Sequence, residues 1–225
     1  MIKSKLIRLE TGKRVDELAN VFINLQFRQG KNCGIDLLDY NSQQLQARFI
    51  EEVVINERQV DPFGIQIENK IIRFYVFEFS VIELKPHQFL IKIDSPPRSL
   101  KAFTNMLQSS LGFGVSIFNL NLNLFNLLSE IGNQPNYKNW QLKKMRISGV
   151  KLSLTSVSKI ELLSLDDAYQ DAKKVINLEN TTIEKVFYSI REPDKIATLE
   201  ISNTGLLVGD ESSVNDLVKY IEGIN

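Results

Sequence analysis

The run Ile71-Ile72-Arg73-Phe74-Tyr75-Val76-Phe77-Glu78-Phe79-Ser80-Val81-Ile82 constrains this chain more than any other stretch. Branched and aromatic side chains lose rotamer freedom in a helix but fit a pleated surface. The run therefore predicts a strand over 71–84. Lys85-Pro86-His87-Gln88 turns the chain, and Phe89, Ile91 and Ile93 then alternate with Leu90, Lys92 and Asp94 as the return strand of a hairpin.

Other segments repeat the theme. Gln44–Glu57 is strand-like, Asp61-Pro62-Phe63-Gly64 reads as a turn, Ile65 and Ile67 open a short strand, and Glu68-Asn69-Lys70 offers a further turn. Residues 28–42 are polar and turn-rich, apart from Ile35-Asp36-Leu37-Leu38. Trp140 to Leu154 reads as a strand with a bulge at Gly149, placing Met145, Ile147, Val150, Leu152 and Leu154 on one face. Residues 159–165, 183–191, 196–202 and 206–208 follow as strands.

Helical spacing appears at Val15, Leu18, Ala19 and Phe22 after a Thr11 cap, and at Leu100, Phe103, Leu107 and Leu111. A short helix fits Phe125 to Ile131. Asp166 is expected to cap a helix through Tyr169, Ala172, Val175 and Ile176. Ser213 is expected to cap the last one, through Val214, Leu217, Val218 and Ile221. Phe118-Asn119-Leu120-Asn121-Leu122-Asn123-Leu124 alternates with period two, so a strand is expected there.

The class is α+β, predominantly antiparallel sheet with several amphipathic helices. The first half is compatible with a ferredoxin-like βαββαβ sandwich carrying an extra strand. With 225 residues the chain can hide roughly 70% of its unfolded surface without disulfide or metal staples. Gly132-Asn133-Gln134-Pro135-Asn136 is the best linker candidate, giving an N-terminal domain over 1–132 and a C-terminal one over 137–225, able to pack as a single unit.

Catalytic residue types are scarce. Cys33 is the only cysteine and His87 the only histidine. That excludes an internal disulfide and the common Cys/His zinc sites, so no metal and no cofactor are expected. A Cys33–His87 dyad is conceivable, but both residues sit in turn-like polar stretches, and two unrelated loop residues is the plainer reading. No nucleophile elbow, phosphate loop or dinucleotide fingerprint occurs. Charges in Met1–Glu10 interrupt what a signal peptide would need as an apolar core, so a cytoplasmic location is expected. Ala102–Ser129 carries no charge and is long enough to span a bilayer, yet its six amides and two glycines suit a protein core better, so no membrane partner is expected.

The net charge of zero hides an uneven distribution. Residues 1–94 are balanced, with thirteen charges of each sign. Residues 95–160 hold eight cations and one acid, Glu130, whereas 161–225 hold six cations and thirteen acids. The two charged segments can face each other within one fold, lie on separate surfaces, or meet between subunits.

Three function classes follow. The leading one is a non-enzymatic interaction or assembly subunit of a soluble intracellular complex, with a protein partner or a second copy of itself. Its grounds are the missing chemistry and the opposed charges. The second is a nucleic-acid-binding subunit using Lys138, Trp140, Lys143, Lys144, Arg146 and Lys151, which combine cations with a stacking ring. The third is a Mg²⁺-dependent nuclease of PD-(D/E)xK type built on Asp61, Glu83 and Lys85, where the carboxylates would hold the metal. Against it, Asp61 precedes its proline and Lys85 stands at a turn. The acids Asp166, Asp167 and Asp171 suit a helix N-terminus better than a cation.

Overall fold

The computed structural model describes residues 1–60, 62–64, 66–133, 138–191 and 196–224. Antiparallel strands dominate, and five helices accompany them among the described residues, so the α+β reading holds. The chain divides into two compact units, one of Arg8–Ile117 and one of Met1–Ile7 with Phe118–Asn225. The first strand, β1 (Ile2–Glu10), gives residues to both. The proposed linker at 132–137 falls largely outside the described residues.

In the unit of Arg8–Ile117, helix α1 (Val15–Asn24) leads to β2 (Cys33–Tyr40), β3 (Gln44–Val60), β4 (Gln66–Lys85), β5 (Gln88–Asp94) and helix α2 (Lys101–Leu111). The strands stand in the order β2-β3-β4-β5, with β1 after β5. This is a meander, not the βαββαβ arrangement. Four strands run in succession before the second helix, so no crossover helix splits the sheet. Val15, Leu18, Ala19 and Phe22 of α1, with Phe103, Leu107 and Leu111 of α2, are buried. Phe103 stands edge-on to Phe49, Phe77 and Phe79, with ring centroids 5.4, 5.4 and 4.9 Å away. Phe22 meets Phe79 at 5.8 Å. Both helices therefore cover the same face of the meander.

Local expectations changed in three places here. The cap of α1 is Arg14, not Thr11, and Glu17 accepts from the Arg14 N–H at 2.8 Å. Cys33–Tyr40, in a stretch expected to be turn-rich apart from Ile35-Asp36-Leu37-Leu38, forms β2 because β3 pairs with it from Cys33↔Glu51 to Tyr40↔Leu45. Glu68-Asn69-Lys70, expected as a turn, lies inside β4, held by its pairing with Arg58, Glu57 and Asn56.

The other unit contains β6 (Ser116–Asn119, its last two residues), α3 (Leu124–Asn133), β7 (Trp140–Lys151), β8 (Val157–Leu163) and α4 (Ala168–Val175). It continues with β9 (Thr182–Arg191), β10 (Ile196–Ser202), β11 (Leu206–Gly209) and α5 (Glu211–Ile224). Its strand order is β1-β11-β10-β9-β7-β8. Ile2–Lys5 of β1 pair with Gly209–Leu206 of β11. The core is built from Met145 and Ile147 of β7, Val186, Tyr188 and Ile190 of β9, Leu199 and Ile201 of β10, and Leu217 of α5.

The Leu/Asn alternation does not give the expected strand over 118–124. The carbonyl and side-chain oxygens of Asn123 accept from Leu127 N (3.0 Å) and Asn126 N (3.2 Å), so the alternation runs into a helix start. Leu124, Leu127, Leu128 and Ile131 then bury one helical stripe. The bulge at Gly149 is present, with φ 77° and the register shifting between Ser148 and Val150. Leu152 and Leu154, expected on the buried face, lie beyond the strand and are exposed. The cap of α4 is Asp167, not Asp166, accepting from Tyr169 N and Gln170 N at 2.9 and 2.8 Å. Helix α5 begins at Glu211, ahead of the expected Ser213 cap.

Candidate interaction surface

Two strands of the meander outrun their neighbours. Pairing of β2 with β3 stops at Glu51, and Glu52 N donates to Asn32 O at 2.7 Å. Pairing of β5 with β4 reaches no further than Phe79. Beyond these points Val53–Val60 and Gln66–Arg73 pair only with each other among the described residues. The result is a two-stranded ribbon about 27 Å long at the usual strand rise. Isolated two-stranded hairpins are marginal in water, so such a ribbon normally needs a surface to lie on.

Alternation divides its side chains between two faces. One face continues the buried Phe49/Phe77 row. The other carries Val54, Ile72, Phe74 and Val76, which are 43, 51, 56 and 52% exposed. Cross-strand pairing makes this second set contiguous: Val54 lies opposite Ile72, and Ile50 opposite Val76. Phe27 stands edge-on to Phe74 at 6.2 Å, at the margin of the patch. Arg58 and Glu68 close it toward the tip with a 2.8 Å ion pair, both side chains mostly exposed. Because α1 and α2 lie on the other face, neither helix covers these residues.

The basic segment takes a different form. Lys144 and Arg146 project from β7 on the side opposite Met145 and Ile147, and both grip Glu161 of β8, at 2.6 and 2.8 Å. Lys159 of β8 pairs with Glu184 of β9. Lys185 of β9 pairs with Glu200 of β10 at 2.8 Å. The opposed charges thus meet across four adjacent strands of one unit. Lys144 and Arg146 hold the Glu161 carboxyl below the ordinary carboxylate range, and Lys159 does the same for Glu184. Lys143 donates to the Leu165 carbonyl. Lys138 and Lys151 are exposed. Trp140 is half-buried, its ring 5.3 Å from that of Tyr188, whose buried hydroxyl is pushed far above its usual pKa.

Carboxylates with depressed folded-state pKa values stabilise the unit above the unfolded carboxylate pKa of about 4.3, and that contribution disappears as pH falls from there through the depressed values. The thermal midpoint is therefore expected to fall with acidification over that window. Glu161→Gln should show a shallower acid arm. Superimposable pH profiles for the variant and the parent would refute the ladder's role.

The remaining sequence candidates are dispersed. Cys33 lies level with Glu51 and Tyr75. His87 forms the β4–β5 turn next to Lys85, with φ 71°. Ten residues of strand separate the two levels, about 33 Å, so no Cys–His dyad forms. Burial and Glu51 raise the Cys33 thiol pKa, the opposite of nucleophile activation. Glu83 pairs with Phe89 at the foot of β4, and Lys85 ends the strand. Asp61 lies outside the described residues, and Val60 pairs with Gln66, seventeen residues along β4 from Glu83. Among the described residues no group of three His, Cys, Asp or Glu side chains could hold a metal ion, and no helix is long and apolar enough to cross a membrane.

The exposed apolar ribbon face was not among the sequence candidates. The signal for it was the run Ile71–Val76, apolar on both alternating faces where a strand covered on one side needs only one. No known family model matches the chain, and no curated protein is similar to it.

Proposed function

We propose that this chain is a non-enzymatic assembly subunit that docks on a protein partner through the β3–β4 ribbon. The observation that carries this reading is the contiguous exposed set Val54, Ile72, Phe74 and Val76, which begins on the ribbon paired only with itself and runs onto its root. Apolar patches rimmed by charge are the usual mark of protein contact, and a ribbon of this length gains little stability alone. A sequence with one cysteine and one histidine, held at distant levels of the sheet, supports a role without chemistry. The Lys144/Arg146 cluster is less suited to phosphate, since Glu161 already engages both cations.

The test removes the ribbon and keeps the meander. Val54–Ile72 is replaced by a two-residue turn, and tagged protein is recovered from the cells that naturally make it. The complete chain is expected in an assembly heavier than 25.8 kDa, and the shortened chain at single-chain mass with its folding retained. Identical assemblies from both would sink the proposal.

A further inference from the structure

We infer that the occupant of the ribbon's exposed face is a second copy of this chain, packed face to face about a two-fold axis running along the ribbon. The inference rests on the docking reading above and names its partner.

Rotation by 180° about a line parallel to the strands, midway between β3 and β4 and just above the exposed face, turns face onto face. It exchanges the two strands and keeps each level along the ribbon. Every residue then lies over the copy of its own cross-strand neighbour. A ribbon whose cross-strand pairs are complementary is therefore complementary to itself.

The pairs on this face meet that condition. Val54 stands opposite Ile72 and Ile50 opposite Val76, so aliphatic meets aliphatic at both levels. Arg58 stands opposite Glu68 near the tip, and Arg48 opposite Glu78 near the body. Opposite charges thus close the apolar stretch at each end. The remaining pairs, Phe74 with Glu52, Asn56 with Lys70 and Val60 with Gln66 at the tip, carry at most one charge each. Among these β3–β4 pairs no like charges come together. A two-fold axis laid across the strands at Phe74 would instead set Glu52 against its own copy, so the axis along the ribbon is the compatible one. Aligned packing of two twisted sheets about 10 Å apart is the ordinary geometry of a β-sandwich. Such an isologous contact closes on itself as a dimer.

The experiment uses the purified full chain and light scattering over a dilution series. The parent is expected at the mass of two chains. Ile72→Lys, at a half-exposed position, should leave the fold intact by circular dichroism and weaken the dimer by roughly a hundredfold, because the change enters the contact twice. Arg58→Glu alone sets acid against acid between copies, and Glu68→Arg alone sets cation against cation, so each single variant should dimerise less. In an equimolar mixture of the two, one chain carries acids at both positions and the other carries cations at both. Opposite charges then face each other again, and the mixture should recover dimer.

A parent of single-chain mass at every concentration would overturn the second-copy inference. A mixture associating no better than its components would overturn the proposed register. Neither result touches the docking reading, which falls only if the ribbonless chain keeps its assembly.

Discussion

Phe103→Ala is expected to cost the Arg8–Ile117 unit about 3–5 kcal/mol of folding free energy. The side chain is 1% exposed and is the hub on which three other rings converge. Edge-to-face pairs add about 0.5–1.5 kcal/mol each beyond area burial, so the loss exceeds simple transfer. The cavity would be walled by strands β3 and β4, whose backbones are fixed by their ladder and cannot close over it. Phe49 and Phe77 also sit where the meander gives way to the ribbon, so the ribbon's root would loosen with the core. Urea unfolding read by fluorescence and circular dichroism measures the change. A loss below about 1 kcal/mol would mean the ring cluster is not the centre of this unit's core.

Gly205→Ala is the second large effect, expected at about 2–4 kcal/mol. The residue turns β10 into β11 with φ 80°, a region L side chains rarely adopt. An added Cβ would stand 2.7 Å from the Leu6 carbonyl oxygen and 3.1 Å from the Leu120 Cβ. The first neighbour is backbone, and the Gly205 carbonyl also accepts from Leu6 N at 2.7 Å. Relief of the clash therefore means breaking that hydrogen bond. Gly30→Ala is the control: its φ is 85°, but nothing lies within 4 Å of the new atom, so only the conformational cost remains. Equal losses at the two sites would show that the close approach at Gly205 has no energetic weight.

Much of the sheet could be read from the residues, because its strands are branched, aromatic and bounded by turn chemistry. The β4–β5 hairpin and the Gly149 bulge are of this kind. What escaped was set by partners distant in sequence. Cys33–Tyr40 sits in a polar, turn-rich stretch and breaks its own alternation with Asp36 and Asp39, so its extent as a strand shows only in its pairing with β3. The Leu/Asn alternation lost to a local competitor, the Asn123 oxygens at a helix start. Ile71–Ile82 was legible as a strand, but not as one whose alternate residues Ile72, Phe74 and Val76 lack cover. That follows from where β2 and β5 stop, a property of two other segments. The charge asymmetry was visible at once. Its meaning waited on the β8-β7-β9-β10 order, which brings Glu161, Glu184 and Glu200 beside the cations.

The pairing of Ile2 with Gly209 has a consequence in time. A ribosome releases β1 well before β11, and Ile117 completes one unit's complement of residues while β11 is still unmade. The four residues Ile2–Lys5 must wait, as an unmatched strand edge, for more than ninety further residues to be synthesised. Closing so long a loop costs little more than closing one half its length, about 0.6 kcal/mol per doubling, but it cannot be done early. The opening residues of β1 are thus seated long after its closing ones have found their own unit.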